Sequence, residues 1–189
     1  NFIHYLLSMS DFFTKTDLSR KDAESIISET LNNCDDGELY LENSKSESIV
    51  LDDDKIKSSS YSSDLGYGLR AVTGEVVAYS HSNEISKKSL KQSASNLSST
   101  LKSQKGIYNH EIPQTNEKFY KDVNPIEEKS LQSKLDLLRE VNNYTRAKGG
   151  MVKQVTASFA GEHKSIEIIR SGGEVLTDVR PLIRFNVSV

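Results

Sequence analysis

The sequence predicts an α+β fold, antiparallel β-meanders packed with helices, from three observations. Runs such as Leu39 to Glu42 and Ile49 to Leu51 alternate with period two. Three stretches, near residues 19–34, 86–101 and 125–148, place apolar residues at helical spacing instead. The strand-like runs are joined by short turns, which suit hairpins and leave no room for crossover helices.

The first helix starts at Ser19, with Asp22 in the capping-box position. Ala23, Ile26, Ile27, Thr30 and Leu31 share one face, and Asp35-Asp36-Gly37 ends the helix, with glycine supplying a left-handed turn. Strands follow at 39–42 and 49–51. Asp52-Asp53-Asp54 reads as an exposed hairpin turn, and further strands cover 56–61, 65–72 and 76–79. Ser86 caps a second helix, with Ile85 and Leu90 spaced as a hydrophobic staple. Leu90, Ala94, Leu97 and Leu101 form its narrow apolar stripe. Residues 105–124 lack a period and read as a loop. A third helix is expected from about Pro125 to Lys148, with Leu131, Leu135, Leu138 and Val141 buried, and Gly149-Gly150 ending it. The tail reads as strands at 152–160, 164–170 and 175–189, with turns at Gly161-Glu162 and Ser171-Gly172-Gly173.

This order predicts a first helix-meander-helix lobe over 1–104, a connecting loop over 105–124, and a second helix-meander lobe over 125–189. At an offset of about 117 residues, Ser48 to Leu51 lies on Ser165 to Ile168 and Leu65 to Val72 on Leu182 to Val189. The expectation is a helix-plus-meander unit made twice. The last strand stops at full hydrophobic amplitude and the first residue is Asn1 rather than Met, so the chain is expected to be cut from a longer one.

Composition narrows the function classes. The 189 residues carry a net charge of −3, with acidic and basic residues interspersed. Nucleic-acid binding needs a dense excess of Lys and Arg, so no direct nucleic-acid contact is expected. No apolar run approaches the length of a membrane span, and residues 1–9 lack the basic flank and cleavage site of a secretory signal. Cys34 is the one cysteine, which fits a reducing cytoplasm and a small buried hydrophobe.

The residues hold no complete catalytic set. No two of His4, His81, His110 and His163 have the spacing that places both imidazoles on one helix face. His110-Glu111 is followed by Pro113, which breaks such a helix. Asp52-Asp53-Asp54 continues Lys55-Ile56-Lys57, without the glycine and closing glutamate of a calcium loop. Ser99-Thr100-Leu101-Lys102 matches Ser-x-x-Lys, but in a chain rich in both residues and without the partner motifs. Gly66-Tyr67-Gly68 lacks the third glycine of a dinucleotide loop, since position 71 is Ala, and lies within a strand. Glycines there mark a bulge or a close backbone approach. Pro181 lacks an N–H and belongs at a strand edge, where another chain can pair.

Several stretches together resemble one family. They are Glu38-Leu39-Tyr40-Leu41-Glu42, Glu47 to Asp53, Asp64 to Glu75 with its Gly66-x-Gly68-x-Arg70 core, Val155 to Ser158, and Asp178-Val179-Arg180-Pro181-Leu182-Ile183-Arg184. They are similar to the N-terminal half of TldD/PmbA proteins, once called modulators of DNA gyrase, and to the TldD branch in particular. The resemblance implies a zinc metallopeptidase acting on unfolded or leader peptides, in which zinc activates water and a helix glutamate is the base. It implies pairing with a PmbA-type subunit or self-association. The family's His-Glu-x-x-x-His helix and cysteine ligand lie C-terminal to the matched region, so no catalytic or metal residue is expected in this chain. Gly66, Gly68, Arg70, Gly74, Arg180 and Pro181 carry the motif and are read as structural, with Arg70 or Arg180 able to hold a carboxylate. Two functions follow as expectations. One is an N-terminal, non-catalytic part of a TldD-like peptidase, inactive alone, which scaffolds, pairs subunits and guides an extended peptide. The other is a non-enzymatic β-edge module or regulator, for example of DNA gyrase.

Overall fold

A computed structural model of the chain describes residues 12–14, 16–101, 117 and 119–189. The loop expected over 105–124 therefore lies mostly outside the described residues, as do His4 and His110. The elements are α1 (Arg20–Leu31), β1 (Asp36–Asp52), β2 (Lys55–Thr73), β3 (Val76–Ser82), α2 (Lys87–Leu101), α3 (Leu131–Arg146), β4 (Thr156–Arg170) and β5 (Val175–Ser188). The strands form one antiparallel sheet in the order β3-β2-β1-β4-β5, which makes the fold α+β. The element order repeats, with a helix followed by a long hairpin at α1-β1-β2 and again at α3-β4-β5.

Capping explains the helix starts. The Ser19 side chain accepts the Asp22 N–H at 3.1 Å and donates its hydroxyl to Asp22 Oδ2 at 2.8 Å, so two groups of the first turn of α1 satisfy each other. The Ser86 hydroxyl accepts the Ser89 N–H at 3.1 Å at the start of α2. The third helix begins later than the sequence suggests. Ser130 is its N-cap, accepting the Ser133 N–H at 3.2 Å, and Asn124 Oδ1 holds a separate turn by accepting the Ile126 N–H at 3.0 Å. Leu131 thus falls in the exposed first turn. The buried face of α3 is Lys134, Leu135, Leu138 and Asn142.

Four expected breaks do not occur. Gly37 lies inside β1, and α1 ends at Asn32 in ordinary helical geometry. A side chain at Gly37 would meet the Leu31 side chain at 2.6 Å and the Arg70 carbonyl at 2.9 Å, so glycine is there for close packing. The runs at 39–42 and 49–51 join into one strand, as do those at 56–61 and 65–72. Gly161-Glu162 is extended strand within β4, not a turn, and a Cβ at Gly161 would touch Ile126 and Phe159. The Asp53-Asp54 turn is present, with φ of 47° and 64°, the double positive φ of a two-residue type I′ hairpin. Gly74 (φ 59°) and Gly173 (φ 80°) occupy the other two hairpin turns.

The chain divides into two compact units, and β1, β2, β4 and β5 contribute residues to both. The first holds the described residues through Asn43, Asp64–Phe119 and Ser165–Asp178. In it α1 packs on α2 and α2 on β3, over an apolar cluster that includes Leu18, Ile27, Leu39, Leu69, Leu90 and Ile169. The second holds Ser44–Ser63, Tyr120–Lys164 and Val179–Val189. Its core is Ile49, Leu51, Leu135, Leu138, Ala157 and Phe159.

Candidate functional site

Strand alternation builds a trough on one sheet face of the first unit. Leu39 and Leu41 of β1, Tyr67, Leu69 and Ala71 of β2 and Ala78 of β3 point into the apolar cluster. The intervening positions therefore share the opposite face. There Gly66 and Gly68 form a floor without side chains, between Tyr40 and Glu42 on one side and Tyr79 and His81 on the other. The concavity is about 400 Å³.

Backbone confines Gly66, whereas the close neighbour of Gly68 is the end of an exposed side chain. A Cβ on Gly66 would lie 2.8 Å from the Ser82 carbonyl oxygen, and one on Gly68 would lie 2.6 Å from the Tyr79 hydroxyl. The register explains the second contact. Gly68 pairs with His81 and Arg70 with Tyr79, so the Tyr79 ring reaches diagonally across Gly68. Tyr79 and His81 stack with centroids 5.8 Å apart. Tyr67 anchors the strand from behind, its hydroxyl 2.8 Å from Ser89 Oγ and 2.9 Å from Ser93 Oγ of α2.

Arg70, on the same face as the glycines, lies 2.5 Å from Asp36 Oδ2 and 3.3 Å from Glu38 Oε1. Partial burial pulls its pKa down, but Asp36 and Glu38 outweigh that and leave it above the ordinary arginine value. The Gly74 N–H donates to Asp35 Oδ2 at 2.6 Å, and the Asp35 N–H donates to the Val72 carbonyl at 2.8 Å, which closes the β2–β3 turn. Arg180 and Pro181 are far along the chain, on β5, an edge strand of the sheet. The motif residues thus separate into a group on β2 and its turn and a group on β5.

No metal centre forms among the described residues, where no three of His, Cys, Asp and Glu converge. His163 Nε2 lies 3.5 Å from Asp122 Oδ1. Cys34 Sγ contacts the Thr30 carbonyl at 3.9 Å, a packing contact at the end of α1. These donors do not fit a zinc ion, whose sites gather three or four ligands at about 2.0–2.3 Å. Nor is any helix among the described residues long and apolar enough to cross a membrane.

Sequence reasoning found the two glycines but missed the walls around them. Tyr40 with Glu42, and Tyr79 with His81, are i, i+2 pairs, and that spacing is the signal that puts each pair on one face. Which pair would flank the glycines depended on strand register, which a single sequence does not show.

Fold and site together define an α+β chain of one antiparallel sheet and three helices, with a glycine-floored trough in its first unit. Residues 37–100 match the model of PmbA/TldA metallopeptidase domain 1, and residues 124–189 match that of the PmbA/TldA metallopeptidase central domain. The chain belongs to the PmbA/TldD metallopeptidase family. It is 35% identical over 156 residues to a metalloprotease TldD homolog of Buchnera aphidicola from Acyrthosiphon pisum, covering 82% of this chain and 32% of that protein. It is 32% identical over 190 residues to the Haemophilus influenzae homolog, covering 97% and 38%. The chain thus spans about a third of the length of these relatives. Among solved structures, a Bacteroides thetaiotaomicron protein described as a modulator of DNA gyrase superposes with a TM-score of 0.66 at 16% identity, over 89% of this chain and 40% of that one. TldE from Thermococcus kodakarensis superposes with a TM-score of 0.56 at 13% identity, over 88% and 42%. These last two likenesses concern the fold alone.

Proposed function

We propose that this chain is the N-terminal, non-catalytic part of a TldD-like zinc metallopeptidase, inactive alone, and that it scaffolds the enzyme, pairs subunits and guides an extended peptide. The observation that carries the reading is a division of labour. The two matching family models are a first and a central domain of a metallopeptidase, and the described residues hold no set of metal donors. The division into a lobe over 1–104 and a lobe over 125–189 is kept as a division of sequence, supported by the separate models over 37–100 and 124–189.

The partner is a PmbA-type subunit or a second copy, and TldE as a structural neighbour supports the first. Strand β5 supplies the surface for a partner or a peptide. Leu182, Ile183, Phe185 and Val187 are exposed along it, and a strand at the edge of a sheet is where another extended chain can pair. The lone Cys34 agrees with a cytoplasmic setting.

The test is a peptidase assay on an unfolded peptide with added zinc. The 189-residue chain is expected to show no zinc-dependent cleavage, and the full-length protein with its partner subunit is expected to cleave. Cleavage by the chain alone would overturn the reading. The exposed β5 edge also favours a second reading, a non-enzymatic β-edge module. That reading wins if the full-length protein with zinc and partner is inert while the chain still captures extended peptides.

A further inference from the structure

We draw no further inference here: the strongest candidate, the exposed apolar run of Leu182, Ile183, Phe185 and Val187 on the edge strand β5, carries nothing beyond the reading above, because nothing among the described residues shows what covers it.

Discussion

The first unit gathers eighteen described residues in one apolar cluster, from Phe12 to Ile169, while the second gathers six, from Ile49 to Phe159. The smaller core is supplemented by polar ties. Lys134, 5% exposed on α3, donates Nζ to Glu47 of β1 and to the Ile126 carbonyl at 2.6 Å, with the Phe159 ring centroid 5.6 Å away. At the hairpin end Asp53 pairs with Arg146 and accepts the Val155 N–H at 3.0 Å, and Asp52 accepts from Gln154 and Thr156 at 2.9 Å each. The first unit also has a buried carboxylate, Glu167, held by both Arg20 nitrogens, but there it sits beside a large core. The difference teaches that two units of one chain can be held by area in one and by directed bonds in the other.

The largest expected effect breaks that comparison at Lys134. Lys134→Ala leaves the mostly buried Glu47 without its cation and the Ile126 carbonyl without its donor, and is expected to cost about 3–5 kcal/mol. The paired change Lys134→Met with Glu47→Leu removes both charges and is expected to be neutral, or stabilising by about 1–4 kcal/mol. Urea unfolding followed by hydrogen exchange at α3 and β4 amides measures both. A cost under about 1 kcal/mol for Lys134→Ala, the worth of an exposed pair, would show that the bond does not hold the second unit.

In the first unit the matching test is Leu90→Ala, at a fully buried position on α2. Its expected cost is about 2–5 kcal/mol, from reduced burial and the cavity left behind. The comparison is sharpened if amides of α1, α2 and β3 lose protection while those of α3 do not.

Much of the first unit was legible because its signals are local. Ser19 and Asp22 bond each other within four residues at the start of α1. The second unit was harder to read because its interactions are not local. The Lys134–Glu47 pair joins residues 87 positions apart, which no local pattern shows. Leu131 reads as core until Ser130 is seen to cap the helix just before it. Gly161 reads as a turn because glycine in sequence does not distinguish a bend from a close approach, here to Ile126 and Phe159. The site follows the same rule. Gly66 and Gly68 stood out by type, whereas Tyr79 and His81 matter through their register with Gly68 and Arg70.

A smaller effect is expected at the β1–β2 turn. Asp54 holds φ at 64°, where a Cβ is crowded and glycine is not. Asp54→Gly creates Asp-Gly, a preferred pair for this hairpin, and is expected to stabilise by about 0.5–1 kcal/mol. The substitution also removes the carboxylate that faces Arg139 Nε at 3.7 Å, but that ion pair is exposed and worth little. The midpoint of urea unfolding checks it, and a decrease would mean that the ion pair with Arg139 matters more than the backbone geometry.

The finest distinction is in acid. Asp22 in the first unit has its pKa lowered by Lys87 foremost and then by Ser19. Asp52 in the second has its pKa lowered by its hydrogen bonds from Gln154 and then Thr156, with Lys57 adding less. A carboxyl whose folded pKa lies below its free value of 3.8 binds fewer protons when folded than when unfolded. Its contribution to stability is therefore full above pH 3.8 and is lost as pH falls through the folded value. Asp22→Asn is expected to flatten the acid loss of protection in α1 and α2, and Asp52→Asn that in β4 and α3, with little change near neutral pH. The two should differ in salt. Part of the Asp22 effect is an ion pair, which added salt screens, whereas the leading causes at Asp52 are neutral donors, which salt leaves in place. Hydrogen exchange between about pH 2.5 and 5 at low and high salt reads both, taking the carboxyl titration range as the window. Equal salt sensitivity at the two aspartates would mean that Lys57, rather than the neutral donors Gln154 and Thr156, governs Asp52.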